Sequence, residues 1–276
     1  MLRDRIRSAA VLVPPLLVAL WFGEPWIAAV VLVVVLLAAV EAFRLLTAAG
    51  HASFPTLGAV LAMVVALGDS VRPVAGGSGL LLLGIGVVLV GIAGLTRPDP
   101  REGIAAVMAT VFAAAYVGLL GYVDRLSNAG PAIDPGATLG WLGPGRAWVL
   151  ILILGVWTYD TAAYFVGRRF GRNHFIPHIS PGKTLEGVGG GLLGVVVVTA
   201  LLVGAVGRSP LLGAFLGLAI GIAAQAGDLA ESMLKRAAGA KESGRLIPGH
   251  GGMLDRVDSF LFAAPVAFLY VIAAFG

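Results

Sequence analysis

The sequence predicts an all-α fold: a polytopic integral membrane protein of about nine transmembrane helices with two charged cytoplasmic loops. Three observations predict it. Of 276 residues, 58% are hydrophobic and only 12% are charged, about half the charged fraction of an ordinary soluble domain; mean hydropathy is +0.95. Several apolar runs reach the roughly 18 to 20 residues that cross a bilayer core. Lysine and arginine are also spread unevenly over alternate connections, as membrane topology demands. The chain has no cysteine, which excludes disulfides, thiolate metal sites and a thiol nucleophile.

Nine segments follow in order: about 9–22, 26–46, 54–71, 79–96, 104–123, 147–166, 187–206, 211–234 and 258–275. The first has the basic start and apolar body of a secretion signal, but no clear small-x-small cleavage site. Trp21 and Phe22 suit an interface, so it reads as a retained first span. The first and third segments are short or interrupted, the first by Pro14 and Pro15. Residues 124–146 form a long polar connection without a charge cluster. No internal repeat stands out. The organisation expected is N-terminal membrane helices over 1–125 and a C-terminal membrane catalytic region over 126–276, its site at about 155–265.

With the N-terminus in the cytoplasm and nine alternating spans, the cytoplasmic ends hold Arg3, Arg5, Arg7, Arg44, Arg97, Arg101, Arg168, Arg169, Arg172, Lys183, Lys235, Arg236, Lys241, Arg245 and Arg256. The opposite side keeps Arg72, Arg125, Arg146 and Arg208. The ratio of 15 to 4 is a strong positive-inside bias. Eight spans with a re-entrant piece is the alternative topology.

Both charged loops, 159–187 and 227–259, fall on the predicted cytoplasmic side. Together they hold Asp160, Glu186, Asp228, Glu231, Glu242, Asp255 and Asp258, seven of the 15 acids, and three of the four histidines. Ionisable groups at membrane depth are costly and usually functional. Asp228, Glu231, Ser232 and Lys235 recur at i, i+3, i+4 and i+7, one face of a helix. Asp255 and Asp258 share a face at the start of the last span, where a helix N-terminus favours carboxylates. Three aspartates brought together need a cation between them, and hard oxygen ligands favour Mg²⁺ with substrate phosphates. A second reading stays open: the same charges would cap helices and anchor the chain at the membrane edge. "PGHGG", 248–252, allows positive φ and close backbone approach to a ligand, or is a plain turn between spans. "ISPGKT", 179–184, is not a Walker A motif, because Pro177 stands where that motif needs glycine and no strand is predicted before it. Lys183 and Thr184 would still suit a phosphate at a helix N-terminus.

The run from Ser232 to Asp258 resembles the signature of the phosphatidate cytidylyltransferases, also called CDP-diacylglycerol synthases. Its residues are Ser232, Lys235-Arg236, Lys241-Glu242, Gly244, Pro248-Gly249-His250-Gly251-Gly252 and Asp255-Arg256-Val257-Asp258. "AYFVGRRFGR" and "ISPGKTLEG" resemble the preceding family loop. The likeness is close over roughly 155–265, whereas the N-terminal half matches only as a string of spans. One position departs, since Glu242 stands where the family usually has aspartate.

The resemblance implies transfer of CMP from CTP to phosphatidate, giving CDP-diacylglycerol and pyrophosphate, with Mg²⁺ as cofactor. By position it makes Asp228, Asp255 and Asp258 the metal-binding acids, with Lys235 beside them in catalysis. Ser232, Arg236, Lys241, His250 and Arg256 would line the nucleotide and phosphate site, with Ser180, Lys183 and Thr184 from the earlier motif. Together with the positive-inside count, the expectation is the cytoplasmic (inner) membrane, with N-terminus and active site on the cytoplasmic side. CTP and the lipid phosphatidate are the partners expected, without nucleic acid, and a homodimer suits the family. The alternatives are a CTP-dependent enzyme with another lipid acceptor, or a membrane transporter using Glu41, Asp160 and Asp228.

Overall fold

The computed structural model describes residues 13–68, 79–247, 249 and 251–276. Arg3, Arg5, Arg7, Arg72, Pro248 and His250 therefore lie outside the described residues, as do the outer ends of the first and third predicted segments. The helices are α1 (Val13–Phe22), α2 (Trp26–Ala48), α3 (Pro55–Leu67), α4 (Gly79–Gly94), α5 (Pro100–Gly118), α6 (Tyr122–Ala129), α7 (Pro144–Phe170), α8 (Leu185–Ala205), α9 (Pro210–Ala237) and α10 (Leu254–Phe275). Strands β1 (His174–Ile176) and β2 (Ser180–Thr184) lie between α7 and α8.

Proline opens α3, α5 and α7 in the first turn, where its missing N–H costs nothing. The Asp99 carboxylate accepts the Arg101 N–H at 2.8 Å and caps α5. Gly68 ends α3 at φ 45°, a conformation that other residues rarely adopt.

Among the described residues, six helical stretches are long and apolar enough to cross a membrane: Trp26–Ala48, Pro100–Ala129, Pro144–Phe170, Leu185–Ala205, Pro210–Ala237 and Leu254–Phe275. Helices α1, α3 and α4 are apolar but shorter. The fifth predicted segment, 104–123, is longer in the structure. A 3₁₀ turn at Leu119–Gly121 carries α5 into α6, because Val123 and Leu126 continue its buried stripe. A second difference is the antiparallel β1–β2 hairpin, which occupies part of the first charged loop.

The chain forms two compact units, residues 1–124 with 233–257, and residues 125–232 with 258–276. In the first, α2, α3 and α5 pack closely: the Phe43 ring fills the space that a side chain at Gly58 would need, and Gly118 admits Val65. The Phe54 N–H donates to the Thr110 hydroxyl at 2.9 Å, which donates to the Ala106 carbonyl. In the second unit, small residues bring three helices together, as suits packing in lipid. Gly190, Gly191 and Gly194 of α8 meet Val166, Tyr159 and Ala162 of α7, while Gly213 and Gly217 of α9 sit against Val203 and Thr199 of α8.

Candidate functional site

The first charged cluster belongs to the second unit and is set up by the hairpin. Glu186, in the first turn of α8, accepts the Arg172 and Asn173 N–H groups and the Asn173 amide at 2.7 Å. Leu185 N–H donates to the Asn173 carbonyl at 2.9 Å. The Thr184 hydroxyl accepts the Gly187 N–H at 3.2 Å, satisfying one of the unpaired donors at the helix start. Gly171 leaves the space that the Thr184 side chain occupies. This register sets Lys183 at the end of β2, and its ammonium lies 2.6 Å from the Asp228 carboxylate of α9. One turn on, the buried Ser232 hydroxyl donates to the other Asp228 oxygen at 3.3 Å. The pair is partly enclosed, with side chains 20% and 29% exposed and the Lys183 nitrogen itself buried.

The second cluster belongs to the first unit and is more enclosed. Lys235 donates to Asp255 Oδ1 at 2.7 Å, with side chains 12% and 7% exposed. Asp255 Oδ2 accepts the Ser243 N–H at 2.8 Å, the Gly252 N–H at 2.8 Å and faces the Ser243 hydroxyl at 2.9 Å. Glycine makes the preceding turn feasible. Gly249 and Gly251 have φ of 75° and 78°, and Ile247 N–H donates across to the Gly251 carbonyl at 2.9 Å. The sequence therefore folds back so that a lysine late in α9 meets an aspartate in the first turn of α10, where the helix dipole also favours a carboxylate.

Glu41 of α2, 3% exposed, joins this cluster. Its carboxylate accepts the Met253 N–H at 3.0 Å, the Leu254 N–H at 2.8 Å and the Ser243 hydroxyl at 2.9 Å. Side chains at Gly244 or Gly252 would collide with it, so these two glycines make room for an acid some 200 positions upstream. Sequence spacing brought forward neither Glu41 as a partner of this loop nor Ser243. The available signal was a lone acid inside an apolar span.

Of the other candidates, Asp258 is partly buried on α10 and accepts the Ser259 N–H at 2.7 Å. Ser180 is partly buried in β2. Arg236 is exposed and donates to the Ala240 carbonyl at 3.2 Å. Lys241, Glu242 and Arg256 are exposed. Of the three candidate metal acids, Asp255 belongs to the first unit, and Asp228 and Asp258 to the second. Among the described residues, no three His, Cys, Asp or Glu side chains are grouped to hold a metal ion.

The sequence matches the cytidylyltransferase family over residues 3–274. The chain belongs to that family. Within it, a phosphatidate cytidylyltransferase of Synechocystis is 34% identical over 291 residues, covering 98% of this chain and 96% of its own. One from Thermotoga maritima is 46% identical over 134 residues, 45% of this chain and 49% of its own. One from Mycobacterium bovis is 38% identical over 175 residues, 62% and 53% of the two chains. For several of these family members the chain spans only about half of their length.

Proposed function

We propose that this protein is a membrane nucleotidyltransferase that transfers CMP from CTP to phosphatidate, yielding CDP-diacylglycerol and pyrophosphate for phospholipid synthesis. The observation that carries the reading is a repeated arrangement. Lys183 on Asp228 and Lys235 on Asp255 each set an ammonium on an aspartate, within the segment that resembles the family signature. The names of the relatives support the same substrates.

In this reaction a phosphate oxygen of the lipid attacks the α-phosphorus of CTP. A new P–O bond forms, the bond bridging the α- and β-phosphates breaks, and pyrophosphate leaves. The lipid phosphate is already ionised, so the chemistry needs alignment and charge neutralisation more than a base. Lys183 and Lys235 would take up phosphate charge. Arg236, Lys241, His250 and Arg256 would hold the nucleotide and leaving group, with Ser180, Thr184 and Ser232 donating hydroxyl hydrogen bonds. The Thr184 hydroxyl also caps α8, so its part is to orient that helix start as well.

Asp228, Asp255 and Asp258 would hold Mg²⁺. Their hard oxygens fit it, and on two of the three a lysine ammonium now takes the place that a cation would have. When bound, the ion neutralises phosphate charge and polarises phosphoryl oxygens. The reading also includes nine spans, a cytoplasmic N-terminus, a site at headgroup depth on the cytoplasmic side of the inner membrane, and a homodimer.

The purified protein, given CTP and Mg²⁺ with a panel of lipids, tests the substrate. Mass spectrometry of the lipid fraction is expected to find CDP-diacylglycerol from phosphatidate. A cytidylylated isoprenoid in its place would reassign the acceptor, and no lipid product at all would contradict the reading. Sidedness can be tested cleanly because the chain has no cysteine. An impermeant maleimide should label Lys241→Cys from the cytoplasmic side and Ser209→Cys from the opposite side; the reverse pattern would overturn the orientation.

A further inference from the structure

Glu41 is a charged residue in the middle of an apolar helix, and the proposed chemistry gives it no contact with substrate. Burying a carboxylate is costly unless donors surround it, and here they do. The Met253 and Leu254 N–H groups, at the start of α10, point at its two oxygens. They are among the donors that a helix leaves unpaired at its N-terminus, so Glu41 caps α10 from another part of the chain.

Its third contact reaches further. The Ser243 hydroxyl lies 2.9 Å from Glu41 Oε2 and 2.9 Å from Asp255 Oδ2. A serine hydroxyl has a single proton, so it can donate to only one of the two carboxylates at a time. Whichever takes the proton, the other depends more on its remaining donors. For Asp255 these are the Ser243 and Gly252 N–H groups and Lys235. The two acids are thereby coupled through one hydroxyl. Gly244 and Gly252 keep the arrangement tight, since a side chain at either would displace the Glu41 carboxylate.

We propose that Glu41 is a positioning residue for Asp255: by holding Ser243, Met253 and Leu254, it fixes the direction of the Asp255 carboxylate and the turn that precedes the last helix. The proposal rests on the reading of Asp255 as part of the reaction site. Its decisive test does not depend on turnover. The Ser243 and Gly252 amides bond to Asp255 and not to Glu41. A mere helix cap would protect only Met253 and Leu254.

The experiment is residue-resolved hydrogen exchange on the full chain in detergent, comparing wild type with Glu41→Gln, Glu41→Asp and Ser243→Ala. In Glu41→Gln, exchange is expected to quicken about tenfold at Met253 and Leu254 and also at Ser243 and Gly252. Glu41→Asp should restore protection in part. Protection unchanged at Ser243 and Gly252, while Met253 and Leu254 open, would reduce Glu41 to a cap and overturn the proposal. If Glu41→Gln fails to fold, Ser243→Ala decides the matter. It removes only the linking hydroxyl, and an unchanged Gly252 amide would break the link. Parallel kinetics separate the two readings. Wild type inactive with CTP and phosphatidate contradicts the proposed function alone. Wild type active, with a Glu41→Gln variant unchanged in kcat, contradicts the positioning role alone. The expected result is a fall in kcat with little change in KM for CTP.

Discussion

The two lysine–aspartate pairs use the same chemistry in different surroundings. Lys235–Asp255 lies in a knot where Ser243, Gly252 and Glu41 complete the hydrogen bonding, and its side chains are largely hidden. Lys183–Asp228 has one hydroxyl beside it and is only partly enclosed, with side chains 20% and 29% exposed. The first pair is fixed by the protein itself, and the chain is arranged around it from α2 to α10. The second has fewer hydrogen-bond partners within the protein. The difference in enclosure should therefore separate the two pairs in what each contributes to stability.

The largest effect is expected from Asp255→Asn. Turnover should fall by about 10²-fold or more, the scale of losing a preorganised electrostatic partner. The variant should also melt earlier, because Lys235 and two backbone donors lose a charged acceptor, at about 1–3 kcal/mol. Asp228→Asn should lose turnover on a similar scale, with a smaller fall in melting temperature than Asp255→Asn, since its pair with Lys183 is less enclosed and Asp228 has fewer donors to leave unpaired. If the two variants lost stability equally, the contrast between the more and the less enclosed pair would collapse.

Gly252→Ala probes the more enclosed pair from the backbone side. Its methyl would press on the Glu41 carboxylate and Ser243 hydroxyl, costing about 1–3 kcal/mol by overpacking and lowering turnover. Gly189→Ala, where the added methyl meets open space, is the control and should leave the melting temperature unmoved or slightly raised, as Ala is the better helix former. The smallest effect belongs to Thr184→Ala. Loss of the α8 cap should cost about 1 kcal/mol, read as a lowered melting temperature, with Thr184→Ser recovering it.

Among the described residues, six membrane-length helices were legible because a span needs little beyond length and apolar character, whereas three further predicted segments form shorter apolar helices. The candidate lysines and aspartates were legible because they cluster in a segment with fixed spacing. What stayed hidden has physical reasons. Strand β2 contains Pro181 and Gly182, both weak strand formers, so no alternation announced the hairpin. The helix beyond Gly118 was hidden by Asp124 and Arg125, which look like the end of a span. Asp124 is nevertheless 3% exposed, and the buried stripe runs past it. Glu41 was visible only as an isolated acid, because its partners lie about 200 residues away. Periodicity reports local order, and no local pattern encodes a capping contact made across such a separation. The same holds for the Lys235–Asp255 contact, which needs the glycine turn to close before the two residues meet.

Continuous measurement of pyrophosphate release by the wild-type protein and Asp228→Asn in detergent, omitting CTP, Mg²⁺ and phosphatidate one at a time, puts the proposed reaction to the test. The assignment of Asp228 to the cytidylyl-transfer site requires release that depends on all three in wild type and is lost in the variant, whose melting temperature falls less than that of Asp255→Asn. Release that persisted in Asp228→Asn, or that did not require phosphatidate, would contradict it.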